Sequence, residues 1–300
     1  MQLGTTQIED TFAEAFAMWG TRIIVTAANL DWARVAAQSV TGFATSVIGC
    51  KCEAGIEREL TELETPDGRP GIAILLFAMD RTGLGKRLVE RIGQCVMTCP
   101  TTACFSGLES EHQVSVGGKL RYFGDGHQAS KKLGEIRLWR IPVMDGEFLV
   151  QDRFGVQPAV GGGNLILCGE NDAVTLAAAS AAVAAIRTQT GVALPFPGGV
   201  VRSGSKVGSR YKGLPASTNH AYCPTLKAVV PDSKLGAEIN CTLEIVIDGL
   251  TEASVRIAMG AGAKAAARPG LTSISAGNYG GNLGQFHIQL HSLFSDGDKP

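Results

Sequence analysis

The sequence predicts an α+β protein of two similar lobes. Three observations carry that: hydrophobic periods that switch between two and about 3.6, an ordered internal repeat, and a length suited to two domains. At 300 residues with 45% hydrophobic content the chain can bury a full core. By usual domain sizes that core is one large domain or two of about 150 residues. The expected lobes are 1–150, including a hairpin connector, and 151–300.

Taken in order, Arg22 to Ala27 (RIIVTA) reads as a strand, and Asn29 can cap a helix that runs through Trp32, Val35, Ala36 and Val40 until Gly42 stops it. A strand is expected at Thr45 to Ile48, then a loop through TPDGRPG and a strand at Ile72 to Phe77 (IAILLF). A helix from about Thr82 to Met97 follows, with Leu84, Leu88, Val89 and Ile92 on one face, and Pro100 ends it. KLRYFGDG, EIRLWRIPV and GEFLVQDRF alternate apolar and polar residues around the turn residues GDG and MDG, which predicts the β-hairpin connector.

The second half repeats the scheme. Asn164 to Cys168 is a strand, Asp172 to Arg187 a helix of small residues, CTLEIVI the next strand and TEASVRIAMGAGAKAAA the next helix. Strands at Thr272 to Ser275 and Gln285 to Leu290 complete it. RIIVTAANLDWARVA resembles EIVIDGLTEASVRIA, GFATSVIG resembles PGLTSISAG, and GIAILLFAMDRTGL resembles GNLILCGENDAVTL, where Asp80 and Asp172 open helices whose dipoles favour an anion. Each half scans as β-α-β-β-α-β, so the expectation is two ferredoxin-like α/β sandwich lobes related by internal duplication.

Composition removes several function classes. A net charge of −1 with 18% charged residues leaves no basic face for nucleic acid. No apolar run reaches the roughly 20 residues of a membrane span, and MQLGTTQIEDTFAEAF is acidic where a signal peptide is basic. A cytoplasmic protein is expected, with its eight cysteines reduced.

Among candidate sites, Cys95, Cys99 and Cys104 have C-x3-C-x4-C spacing, which fits no zinc or cluster pattern. His287 and His291 lie on an alternating segment, where positions i and i+4 are about 13 Å apart, too far to share an ion. No metal is expected. The loop GGVVRSGSKVGSRY resembles a phosphate loop but has Ser205 before Lys206 and no helix after it. It remains a Gly- and Ser-rich loop whose Arg202, Lys206 and Arg210 suit an anionic ligand, with a nucleotide-binding protein as the reading it alone supports. Glu244 stands inside the apolar run CTLEIVIDGL. With period two, Leu243, Ile245 and Ile247 face the helices, and Thr242, Glu244, Val246 and Asp248 face the other side. On this pattern Glu244 is either a hydrogen-bonded structural acid or a working one.

Several longer segments go further. IEDTFAEAF, ETPDGRPG, RIGQCVMT, FGDG, LPFPGG, SKVGS, LPASTN, AYCPT, EIVIDGL and SISAGNYGGNLGQ, in this order, resemble the formylmethanofuran:tetrahydromethanopterin N-formyltransferase family over nearly the whole chain. The resemblance implies transfer of a formyl group between N5 of a tetrahydromethanopterin and the primary amine of methanofuran or methylofuran. These carriers act as substrates, with no tightly bound cofactor. It also implies a homodimer or homotetramer, and, in the methylotrophic branch, hydrolase subunits of a formyltransferase/hydrolase complex that releases formate. The near-neutral, Ala- and Gly-rich composition with eight cysteines points to that bacterial branch rather than to archaeal methanogenesis. The family's catalytic acid falls on the strand that matches Glu244. Arg69, Gln94, Ser205, Lys206, Asn219 and Tyr222 lie in matching motifs as substrate-binding candidates. A non-catalytic scaffold that holds carrier for a hydrolase is the alternative function.

Overall fold

The computed structural model describes residues 1–294. The chain forms two compact units: residues 18–159 make one, and residues 1–17 join those from Val160 onward in the other. Compared with lobes of 1–150 and 151–300, the first seventeen residues therefore go with the C-terminal half. The reason is a strand longer than expected. It runs Phe12–Thr26 rather than from Arg22, and its first residues pair antiparallel with Phe286–Gln289. Charged and glycine positions in FAEAFAMWG hid that strand from a reading by periodicity.

In the 18–159 unit the order is the strand ending at Thr26, helix Leu30–Thr41, strands Glu53–Leu60 and Gly71–Ala78, helix Arg81–Arg91 and strand Ala103–Ser106. The four strands lie second, third, first, fourth, every neighbour antiparallel. Asn29 caps the first helix, its side chain accepting the Trp32 N–H at 3.0 Å, and Asp80 caps the second through the Gly83 N–H at 2.8 Å. Ala33, Ala36, Ala37 and Val40 recur at helical spacing and pack on the alternating residues Ile23, Val25, Ile72, Ile74 and Leu76.

Two expectations fail here. Residues 45–48 are not a strand: Ser46 caps the short helix Val47–Cys50, and the strand is Glu53–Leu60, whose charged Glu57, Arg58 and Glu59 mask its alternation. KLRYFGDG is helical over Gly117–Leu120 and Arg121–Gly124. The connector is a three-stranded meander of Ala129–Leu133, Ile136–Val143 and Gly146–Gln151. It extends the unit's sheet by pairing Gly146–Gln151 in parallel with Ala103–Ser106. The helix expected to Met97 ends its regular part at Arg91 and continues as the π-helical turn Ile92–Val96.

In the other unit, Gln157–Gly169, helix Asp172–Ile186, Val192–Ala193, Cys241–Gly249, helix Glu252–Ala266 and Leu271–Ser275 follow the same order. Their strands again lie second, third, first, fourth, all antiparallel. Thr6–Ile8 adds in parallel beside Leu271–Ser275. Small residues let the two helices and the sheet approach closely; a Cβ on Gly262 would stand 2.7 Å from Ile186.

This topology crosses the repeat read from sequence. RIIVTAANLDWARVA is the first strand and first helix of its unit, whereas EIVIDGLTEASVRIA is the third strand and second helix of the other; the GIAILLFA and GNLILCGE segments are crossed the opposite way. GFATSVIG and PGLTSISAG also part, one a helical turn and the other a strand. A buried strand leading into a capped helix has the same signature at either step of a unit, so likeness of segments does not fix which step it is. The units differ most between their second and third strands: residues 61–70 make that connection in one, residues 194–240 in the other.

Candidate active site

The strand Cys241–Gly249 divides its faces as its alternation predicts. Ile245 and Ile247 are fully buried beneath the helices, and Leu243 packs against the same core. On the opposite face Glu244 stands beside Ile166, and Ile166 beside Ser275, so the three form one cross-strand row. The 194–240 excursion covers part of that face. Val201 exchanges backbone hydrogen bonds with Glu244 at 2.7 and 2.9 Å, while Tyr222, Leu235 and Ile239 pack on Ile166 and Cys168. The Tyr222 hydroxyl reaches Ser275 Oγ at 2.9 Å, and Ser275 donates to Glu9 at 2.6 Å.

Glu244 is only partly exposed, and among the described residues no hydrogen bond or ion pair reaches its carboxylate. Burial pushes its pKa from 4.5 up to about 7. Tyr279 lies within electrostatic reach. Its phenol is raised by burial and by the charges of Glu244 and Glu14, against a hydrogen bond with the Ser205 side chain. The site thus brings together an acid that holds its proton near neutrality and a pair of hydroxyls. Such a group can donate hydrogen bonds to an oxygen gaining negative charge and lend a proton as it does so.

The excursion is shaped by its own polar contacts. Gly204 adopts φ +57°, and a Cβ there would stand 3.3 Å from Asn219 Cβ, so the turn that presents Ser205 needs glycine. Asn219 accepts the Tyr222 N–H through its carbonyl at 3.0 Å. Lys206 opens the short strand paired with Ala216–Ser217 and acts on Asp232, whose carboxylate is held low first by a 2.8 Å contact with His220. Arg202 and Arg210 are exposed.

Glu244, Ser205, Lys206, Asn219 and Tyr222 therefore share one unit, and Arg69 and Gln94 belong to the other. The Arg69 guanidinium is committed to Asp67 at 2.7 Å, Thr26 at 3.1 Å and the Thr101 carbonyl at 2.5 Å. Gln94 is exposed on the π-helical turn, and its carbonyl accepts from Thr98 at 2.7 Å. Cys104 is buried in its strand, with Cys95 and Cys99 packed against the same core. His287 stacks on Phe12 at 5.1 Å between ring centroids, and His291 contacts the Ile8 carbonyl at 2.9 Å. Among the described residues no group of three or more His, Cys, Asp or Glu side chains is placed to hold a metal ion.

Tyr279 escaped the sequence reading. The signal was at hand, since it is the one aromatic residue in the glycine-rich stretch SISAGNYGGNLGQ, but nothing local says that this stretch folds back to Glu244.

Comparison with known proteins adds the following. Residues 1–143 match the family model of formylmethanofuran-tetrahydromethanopterin formyltransferase, and residues 146–293 match that of its proximal lobe. The formylmethanofuran–tetrahydromethanopterin formyltransferase of Methylococcus capsulatus is 57% identical over 299 residues, covering 98% of this chain and all of the relative. Among solved structures, the formyltransferase/hydrolase complex (FhcABCD) from Methylorubrum extorquens in complex with methylofuran contains a chain 53% identical, with a TM-score of 0.95 over 100% of this chain and 99% of that one. The Methanosarcina barkeri formyltransferase is 46% identical, with a TM-score of 0.93 over 98% of this chain and 100% of that one.

Proposed function

The chain belongs to the formylmethanofuran–tetrahydromethanopterin formyltransferase family, and we propose that Glu244 carries its chemistry. The protein is a transferase that moves a formyl group between N5 of tetrahydromethanopterin and the amine of methanofuran or methylofuran. Higher identity to the two bacterial relatives than to the archaeal one favours the one-carbon metabolism of a methylotroph, with formate as its end product.

The observation that carries the assignment of Glu244 is a carboxyl raised to about 7 by burial, with no counter-ion among the described residues. A new C–N bond forms as the acceptor nitrogen attacks the formyl carbon, and the carbonyl oxygen becomes an oxyanion. Glu244 in its acid form gives that oxygen its proton and takes it back as the carbonyl returns and the old C–N bond breaks. The proton of the attacking N–H passes to the departing nitrogen, so the exchange balances. Tyr279 and Ser205 supply hydroxyls beside the acid. Lys206, Asn219, Tyr222, Arg69 and Gln94 are proposed to contact the carriers. Arg69 has the weakest claim, because its donors are already committed within its own unit.

The finer structural reading is two ferredoxin-like sandwiches from a duplication, its copies being the halves 1–150 and 151–300 except that the first seventeen residues go with the second. It is supported by one strand order and one element order in both units. The relative solved within FhcABCD makes hydrolase subunits the expected partners here, alongside a homodimer or homotetramer. A cytoplasmic location goes with this reading; among the described residues no helix is long and apolar enough to cross a membrane.

The test is transfer by the purified chain between formyl-tetrahydromethanopterin and the furan carrier, with Glu244→Gln alongside at saturating substrate. Wild-type rates in the variant remove Glu244 from the mechanism. No transfer by the chain alone, with transfer restored by hydrolase subunits, would leave it the scaffold.

A further inference from the structure

Glu14 is almost fully buried, at 1% exposure, on the strand Phe12–Thr26. Its Oε2 accepts the N–H of Tyr279 at 2.6 Å and of Gly281 at 2.9 Å, and its Oε1 accepts those of Leu283 and Gly284, both at 2.6 Å. Among the described residues no cation pairs with it. Burial alone would raise its pKa; the four N–H groups more than offset that and hold it at about 2. The carboxylate is therefore charged throughout the working range, with its acceptor capacity spent on one loop.

The rest of that loop is tied as firmly. Asn164 accepts the Gly277 N–H at 2.6 Å and donates to the Gly277 carbonyl at 3.2 Å. Asn278 donates to Thr11 Oγ1 at 3.2 Å and the Phe12 carbonyl at 3.1 Å. Gly281 turns the chain at φ +75°, with the His287 ring 3.1 Å from where a Cβ would stand. What this frame presents is the Tyr279 side chain, packed against Phe16 with ring centroids 6.1 Å apart, its phenol hydrogen-bonded with the Ser205 side chain and within electrostatic reach of Glu244.

We propose that Glu14 is a positioning residue for formyl transfer: through the backbone of Tyr279 it holds that ring and hydroxyl against Ser205 and Glu244. The inference rests on Glu244 being the reacting acid. It gives a reason for a buried charge in the core: a carboxylate converges four N–H groups where an amide would turn its own NH2 against two of them.

The test uses the full chain carrying Glu14→Gln, Tyr279→Phe or both. With folding checked by circular dichroism and Tm, Glu14→Gln should lower kcat by about 10- to 100-fold with KM for both carriers nearly unchanged, since a displacement of about 1 Å costs that much. The double variant should be no slower than the slower single one, because the two act as a unit. A readout that simple destabilisation does not move is the Glu244 midpoint, followed by NMR of labelled Glu side chains. Released from Tyr279, Glu244 gains water, and its midpoint should fall from about 7 towards the ordinary 4.5. Tyr279 is the titratable group of this loop on which the Glu244 charge acts; Tyr222, Glu9 and Cys168 act on one another around Ser275. If Glu14→Gln does not fold, Gly281→Ala strains the same loop with the carboxylate intact and should move kcat and midpoint the same way. A folded Glu14→Gln with wild-type kcat and an unmoved midpoint overturns the proposal, as does full additivity with Tyr279→Phe. A wild-type chain that transfers nothing fails the transferase reading instead, while the midpoint still reports on Glu14.

Discussion

The strands Gly71–Ala78 and Cys241–Gly249 are each the third strand of their unit along the chain and lie second across its sheet. The first is buried at all eight positions and carries no ionisable residue. The second leaves its first four positions partly exposed and places Glu244 among them. In the first unit the charge beside the third strand is on Arg22, across from Leu75, and it is closed off by Glu57 in a two-pronged pair at 2.5 and 2.7 Å. Beside these two strands an ionisable side chain is handled differently, in one unit by a counter-ion and in the other by keeping the group neutral. Only the second leaves a proton to lend.

The comparison breaks most sharply at Glu244. Glu244→Gln should lower kcat by about 10²-fold or more, the usual range for a lost general acid. Its Tm should not fall, because no bond to the carboxylate is lost; a steady-state assay beside a thermal melt checks both. Glu57→Ala should do the reverse. It leaves Arg22 half-buried without its partner and should cost about 3 kcal/mol in a urea titration, the lower end for a broken buried pair because Arg22 keeps 26% of its side chain in solvent.

The pH dependence sharpens the contrast. The folded pKa of Glu244, about 7, lies above its ordinary 4.5, so its contribution to stability is full below about 4.5 and is lost as pH rises through about 7. Wild type should lose on the order of 2 kcal/mol relative to Glu244→Gln across that window. Glu14 runs oppositely: held at about 2, it contributes fully above about 4.5 and fails as pH falls through 2, which urea titrations of Glu14→Gln at acid and neutral pH would show. The smallest effect concerns what the units share. Asn29→Ala and Asn171→Ala remove equivalent caps, each accepting an N–H at 3.0 Å, and each should cost about 1 kcal/mol in denaturant midpoints.

Much of this was legible in local pattern. The cap at Asn29, the helix start at Asp80, alternation in IAILLF and CTLEIVI, and the small-residue helices each follow from neighbours in sequence, and the face assigned to Glu244 was a count by twos. What was hidden depends on distant partners. Glu53–Leu60 was masked by Glu57, whose charge makes sense only opposite Arg22, and Phe12–Thr26 by Glu14, whose burial makes sense only against residues 279–284. The crossed repeat has the same origin, since segments alone do not say which strand they will lie beside. Family motifs led to Glu244 and Ser205, but Tyr279 needed the fold.

Glu14 also sets an order of events during synthesis. The N–H groups that satisfy it lie 265 to 270 positions further along the chain, so until those positions are made this carboxylate lacks its partners. At 5–20 residues per second that wait is on the order of tens of seconds. The 18–159 unit, contiguous in sequence, has every strand of its sheet in hand long before. Glu14 is thus made early and seated late, when residues 279–284 close round a carboxylate that has waited for them.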